Sequence, residues 1–160
     1  MTIQLIMYSK EDHFDAINTY QFHDRTFTDH PLTVVRDCEG DNNRYPIIIQ
    51  KDNVVVGFFC LHLDEGPEMY GYRNNVILLR GYSIDERHRK LGYAKSSFDM
   101  LDDFILKEIE ADLDGVILAV NELNIAAQKT YAKVGFKIDK ENIVSHRGKL
   151  MIMKRNFMVK

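Results

Sequence analysis

A strand pattern, a charged turn and an amphipathic helix pattern follow one another without interruption from Asn75 to Ile109, and the turn carries one glycine, Gly92. The strand, Asn75 to Ile84, is rich in aliphatic and β-branched residues. Leu91, Ala94, Phe98, Leu101, Ile105 and Ile109 then recur at near-helical spacing, which predicts a helix with one apolar face. The first N–H groups of such a helix have no intrahelical partners and can surround an anion. Gly92 lets the backbone approach that anion with no Cβ between them. Ala94 keeps the helix entrance small, and Arg89, Lys90 and Lys95 can add charge-assisted contacts. The loop Arg89-Lys90-Leu91-Gly92-Tyr93-Ala94 is therefore a candidate phosphate site, although R-x-x-G-x-A alone is matched as readily by an ordinary turn. It lacks the GK[ST] ending of a P-loop, and a single glycine does not make a dinucleotide fingerprint.

A second constellation follows the short apolar run Val116-Ile117-Leu118-Ala119-Val120, which reads as a central strand. Asn121, Asn124, Ala127, Tyr131, Gly135 and Phe136 stand in the order N-x-x-N-x-x-A-x-x-x-Y-x-x-x-G-F. Asn124 is placed to cap a helix that Gly135 ends. Asn124 and Tyr131 fall two turns apart on nearly the same face, so a polar group and a phenol can line one groove.

The rest of the chain also alternates between strand and helix patterns, which points to the α/β or α+β class. Residues 3–7 read as a strand. Ser9 reads as an N-cap ahead of Glu11 and Asp12, with Phe14, Ile17 and Phe22 as the apolar face of a helix. Residues 23–45 are polar and irregular, with a short helix near 32–37. Pro46 opens a strand at Ile47-Ile48-Ile49, Lys51-Asp52-Asn53 is a hairpin turn, and 54–63 is the returning strand. Asp64-Glu65-Gly66-Pro67 breaks the pattern. Phe136-Lys137-Ile138 and Leu150-Met151-Ile152-Met153 are the last strands.

A chain of 160 residues suggests one domain, because two would each have too little core. Its 45% hydrophobic and 28% charged residues give a globular rather than a disordered balance. A net charge of -3 is not the footprint of a nucleic-acid binder, so no nucleic-acid partner is expected. The start of the chain has no basic n-region and no apolar run reaches a membrane span, so no membrane partner is expected and the expected location is the cytoplasm. Cys60 lies in an apolar run as a buried hydrophobe, and a reducing compartment disfavours a disulfide to Cys38. The six histidines show no metal-ligand spacing, so no metal is expected.

On the residues from Val76 to Phe136 the sequence resembles the GNAT superfamily, the GCN5-related N-acetyltransferases, and the resemblance extends over nearly the whole chain in element order. It implies a single domain over 1–160, with a mixed, mostly antiparallel central sheet of about six to seven strands flanked by about four helices. It implies acetyl-CoA as co-substrate and an amine as acetyl acceptor. The R-x-x-G-x-G/A loop of that family binds the pyrophosphate of coenzyme A, which assigns that role to Arg89, Lys90, Leu91, Gly92, Tyr93, Ala94 and Lys95. The strand before it runs beside the pantetheine arm, which assigns Tyr82, Ser83 and Ile84, and the following strand splays away. The N-x-x-A-x-x-x-Y-x-x-x-G-F segment supplies Tyr131 as the acid and brings Asn121 and Asn124 to the cofactor. Ser83-Ile84-Asp85-Glu86-Arg87 is also similar to bacterial diamine and polyamine acetyltransferases. Relatives often dimerise, so a homodimer is an expectation.

The chemistry needs positioning, an unprotonated amine, help for the oxyanion and a stable leaving thiolate. The backbone edge of Tyr82, Ser83 and Ile84 can pair with amide-rich pantetheine like an added strand, and an N–H near Tyr82 can polarise the thioester carbonyl. A tyrosine of ordinary pKa, about 10, faces a thiol near 8.5, so full proton transfer from Tyr131 is uphill by about 2 kcal/mol. It serves by hydrogen-bonding the developing thiolate unless its pKa is lowered in place. The strand Val76 to Ile84 holds no carboxylate where many relatives carry a glutamate base. Asp29, Asp64 and Glu68 lie in segments that can border the acceptor, and an amine arriving neutral needs no base. Arg80, unusual in an apolar strand, meets either an acidic substrate group or a buried carboxylate of the fold. Segments 21–45 and 64–74 are expected to form the pocket for a small-molecule amine (polyamine, amino acid or aminoglycoside-like) or a peptide. The missing carboxylate also admits a sensor that binds acyl-CoA without turnover.

Overall fold

A computed structural model describes residues 2–157 as one seven-stranded sheet with helices on both faces. The chain runs β1 (Ile3–Met7), α1 (Lys10–Asn18), α2 (Pro31–Cys38), β2 (Arg44–Lys51), β3 (Val54–His62) and α3 (Glu65–Glu68). It continues through β4 (Val76–Ile84), a 3-10 turn (Glu86–His88), α4 (Tyr93–Glu108), β5 (Gly115–Asn121), α5 (Ile125–Lys133), β6 (Lys137–Ser145) and β7 (Gly148–Asn156). The sheet order is β1-β2-β3-β4-β5-β7-β6, and every neighbouring pair is antiparallel except β4 and β5. The α/β expectation of a mixed, mostly antiparallel sheet therefore holds.

The strand period decides the layers. Ile47 and Ile49 of β2 point to the core shared with Phe98, Leu101 and Ile105 of α4, while Ile48 points to the core of α1 and α2, with Ile17 and Val35. A triple isoleucine is thus buried on both sides, as a central strand requires. Asp52 and Asn53 both adopt positive φ (48° and 66°), which matches the right-handed twist of the β2–β3 hairpin they close.

Several boundaries differ from the sequence reading. Ser9 stands at the N-cap of α1, but its side chain makes no capping bond; its N–H donates instead to Nδ1 of His13 at 2.9 Å. Phe22 lies beyond the end of α1 and is buried beside Ile17 from the following coil. Pro46 sits inside β2 rather than at its start. The run from Asp64 to Pro67 is not simply a break, because Glu65–Glu68 forms one helical turn. Leu91 precedes α4 and is 60% exposed, because the backbone reverses through positive φ at Lys90 and Gly92 before the helix begins. β6 and β7 are longer than their apolar stretches, since β6 is an edge strand with a largely exposed face.

Candidate active site

The parallel ladder between β4 and β5 lasts only from Val76↔Gly115 to Leu79↔Leu118. Beyond it β4 pairs with β3 alone and β5 with β7 alone, so the two strands part. The cause lies in β4. Phe58 pairs with Ser83 but Cys60 pairs with Arg80, so β4 carries one extra residue across this interval. Gly81, at φ 65°, takes the left-handed turn that this bulge needs. The bulge resets the alternation: Ile77 and Leu79 face the α4 core, and after it Tyr82 and Ile84 face the same core. Beyond Leu79, β4 has no strand partner on its β5 side, so this edge is open to a ligand, although Ser83 O accepts from the Tyr20 hydroxyl at 3.0 Å and Ile84 O from Arg89 Nε at 3.4 Å.

Side chains around the fork are held firmly. The Tyr82 ring stacks between Phe59 and Phe98, with centroids at 5.8 and 4.8 Å, and its hydroxyl shares a 2.6 Å hydrogen bond with Ser97 Oγ. Burial pushes its pKa up. Ser83 Oγ lies 2.9 Å from the Tyr20 hydroxyl. What these residues offer to a ligand is therefore backbone. Tyr131 meets Tyr82, Phe98 and Phe136 edge-on at 6.4, 5.9 and 6.0 Å. Burial alone raises its pKa to about 12. Arg155 fixes the helices that carry this cluster: it donates to the Val134 and Phe98 carbonyls and pairs with Asp102 at 2.6 Å.

Two cavities meet here. One of about 500 Å³ is walled by residues including Asp29, Asp37, Cys60, Arg80, Tyr131 and His146. The other, about 230 Å³, extends toward Ile84, Arg89 and Asn124. Phe27, Thr28, Tyr82 and Tyr131 line both, so Tyr131 stands at the junction. Segments 21–45 and 64–74 do border the larger cavity, the latter through Met69 and Tyr70. Asp29 lines it but pairs with Arg147 at 2.8 Å, whereas Asp64 and Glu68 stand outside its wall. Sequence reasoning missed Asp37 and the β6–β7 hairpin, which adds residues 143–147 without any readable motif.

The candidate loop residues divide. Gly92, at φ 82°, is the N-cap of α4 and offers no capping side chain; the first return bond is from Ser96 N–H to Gly92 O at 3.1 Å, so the N–H groups before it face out of the helix end. Arg89 lies 5.9 Å over the Phe22 ring and borders the smaller cavity. Lys95 pairs with Asp99 at 2.7 Å, and Lys90 and Leu91 are exposed. Asn124 caps α5 by accepting the Ala127 N–H at 3.2 Å, as its position implied. The Asn121 amide is engaged by the fold, donating to Arg147 O at 2.7 Å and accepting from Leu123 N at 2.9 Å.

Asp85 ties the covering segment to β4. Its buried carboxylate accepts from Gln21 N, Arg87 N, and Nε and Nη2 of Arg87 at 2.8 to 3.1 Å. Burial works to raise its pKa, but the Arg87 side chain and the two backbone donors outweigh it and hold the group below the usual carboxylate range. A lowered folded-state pKa stabilises the fold fully above about pH 4, and that contribution is lost as pH falls through the folded value. Asp85→Asn is expected to lose about 2 kcal/mol at pH 7 in urea unfolding, with the gap to wild type narrowing as pH falls below about 4. A gap that stays constant with pH would deny the charged bonds this role.

Among the described residues no group of three or more His, Cys, Asp or Glu could hold a metal ion, and no helix is long and apolar enough to cross a membrane. Parallel strands that part around an open edge are the architecture of acyl-CoA-dependent N-acetyltransferases, and comparison with known proteins agrees. The chain belongs to the acetyltransferase (GNAT) family, whose profile matches residues 10–136. It is 35% identical over 135 residues to the uncharacterized N-acetyltransferase YbbJ of Bacillus subtilis (strain 168), covering 82% of this chain and 83% of that one. The fold is similar to that of AAC(6')-Ib in complex with ribostamycin and coenzyme A (TM-score 0.76, 12% identity, 98% and 94% of the two chains). It is also similar to a spermidine N-acetyltransferase SpeG chimera from Vibrio cholerae and hSSAT (TM-score 0.71, 14% identity, 98% and 96%). Membership of this family makes the protein an acyl-CoA-dependent N-acetyltransferase.

Proposed function

We propose that residues 1–160 form one cytoplasmic N-acetyltransferase domain that acetylates a primary amine of a small molecule or peptide, the amine attacking the thioester directly. The observation that carries this is the position of Tyr131, at the junction of the two cavities and beside the fork of β4 and β5. Bound acetyl-CoA supplies the activated acyl group and a thiolate leaving group. The α4 N-terminus, with Gly92 and Arg89, receives the pyrophosphate, and the open edge of Tyr82 to Ile84 pairs with the pantetheine amides. An N–H of this edge donates to the thioester oxygen as negative charge develops there. Tyr131 donates a hydrogen bond to the departing sulfur. The acceptor enters the larger cavity, where Asp29, Asp37 and His146 are the proton acceptors at the wall. Small amines suit the reading, since the similar folds include aminoglycoside and spermidine acetyltransferases. Free, buried Cys38 and Cys60 suit a reducing compartment.

The test is a thiol-release assay across amines, run beside thermal shift. Acetyl-CoA should raise Tm where ATP and NAD do not, and at least one amine should turn over. Tight acetyl-CoA binding with no turnover of any amine would favour an acyl-CoA sensor instead.

A further inference from the structure

We propose that the amine acceptor also carries an anionic group, a carboxylate or a phosphate, and that Arg80 binds it. The inference rests on the N-acetyltransferase reading and assigns the acceptor's chemical class.

Arg80 precedes the bulge glycine of β4 and lies across from Cys60 of β3, in the wall of the larger cavity. Val76 and Leu78, on the same strand face, are buried in an apolar cluster. An arginine in such a wall is costly without an anion. The sequence admits two partners, a carboxylate of the fold or one brought by the substrate. The fold supplies none: no carboxylate of the described residues lies within 4.0 Å of the guanidinium. Its protein contact is Nη1 to His62 Nδ1, at 3.1 Å. That bond requires a lone pair on Nδ1, so His62 is neutral with its proton on Nε2. Burial, reinforced by Arg44 and Arg80, keeps the imidazole neutral. Nε2 points toward Glu65 at 3.8 Å, too far for a hydrogen bond. Gly66 packs against the His62 side chain, so closely that a Cβ there would stand 2.7 Å from His62 Cγ. His62 therefore orients the guanidinium without neutralising it.

The other charges at the wall are accounted for differently. Arg44 lies 3.1 Å from Asp41, Arg147 pairs with Asp29 at 2.8 Å, and Asp37 is exposed. Arg80 is left with a planar fork of donors turned to a partly apolar cavity, the arrangement that takes a carboxylate or phosphate in bidentate fashion. It lies two residues from Tyr82, on the order of 7 Å along a strand, so the anion and the attacking amine belong to one small molecule or one terminal residue of a peptide. Polycations such as polyamines and aminoglycosides would bring like charge against Arg80.

The experiment compares kcat/KM for amino acids and an amino-sugar phosphate with their uncharged amides or unphosphorylated parents, and with polyamines and aminoglycosides. An anionic acceptor is expected to exceed its neutral counterpart by about 100-fold, mainly through KM. Arg80→Met should bring the anionic acceptor down to the level of the neutral one, and Arg80→Lys should recover part of the difference. Preference for a carboxylate or a phosphate identifies which anion is used. Turnover confined to polycations, or an anion preference that survives in Arg80→Met, overturns the proposal. If no amine turns over, the N-acetyltransferase reading falls, and titration of N-acetylated amino acids and an N-acetyl sugar phosphate into coenzyme A-saturated protein still decides the anion site. Binding weakened at least about tenfold in Arg80→Met upholds it; equal binding, or none to wild type, overturns it.

Discussion

Gly92→Glu is expected to weaken acetyl-CoA binding by about 1,000-fold or more in a protein that still folds. A Cβ built on Gly92 meets nothing within 4 Å, so the side chain fits the free protein. The positive φ of 82° costs a non-glycine residue about 1 kcal/mol, or several degrees of Tm. Binding suffers far more. A carboxylate there competes for the N–H groups at the start of α4 and sits beside the proposed pyrophosphate. One unit charge about 4 Å from another at the protein surface costs about 4 kcal/mol, or about three powers of ten. Gly92→Asn, neutral and tolerant of left-handed φ, should lose less than about tenfold. Calorimetric titration with acetyl-CoA, with circular dichroism as the folding control, reads both. Near wild-type affinity in Gly92→Glu would place the pyrophosphate elsewhere.

That loop was legible because local rules converge on it. The 3.6-residue period of Phe98, Leu101 and Ile105 defines the buried face of α4, and one glycine marks where the backbone must turn. Asn124 and Gly135 bracket α5 for equally local reasons, a side-chain cap and a left-handed terminus. The fork was harder to read. It depends on one extra residue at Gly81, and a one-residue shift inside an apolar strand leaves no trace in composition. The full length of β6 escaped for the opposite reason: beyond Ile138 its Asp139-Lys140-Glu141-Asn142 stretch is polar, because an edge strand shows much of its surface to water. The acceptor wall was the least legible part. Phe27, Asp37, Cys60, Arg80, Tyr131 and His146 come from coil, α2, β3, β4, α5 and the β6–β7 turn, and only the tertiary fold brings them together. Arg80 was visible as an anomaly, but the absence of a carboxylate beside it is a three-dimensional fact.

Tyr131→Phe is expected to lower kcat by about 100-fold while changing acetyl-CoA affinity less than about twofold. The substitution keeps the ring that packs on Tyr82, Phe98 and Phe136, so the fold and the fork persist. It removes a hydroxyl that no described residue engages and that lies where both cavities meet. Burial lifts the tyrosine pKa to about 12, which makes it a weaker acid than a thiol near 8.5 by three to four powers of ten. Complete proton transfer to the sulfur would then cost about 5 kcal/mol. A hydrogen bond that strengthens as charge grows on sulfur has no such cost, and a bond to a charged acceptor in a water-poor site is worth about 2 to 3 kcal/mol. The pH profile separates the two roles. With its pKa raised, Tyr131 stays protonated throughout pH 7–10 and imposes no descending limb there, so wild type and Tyr131→Phe should give kcat profiles of one shape at different heights. A descending limb between pH 8 and 10 that vanishes in Tyr131→Phe would instead mean that the bound substrates lower the tyrosine pKa and that it delivers its proton outright.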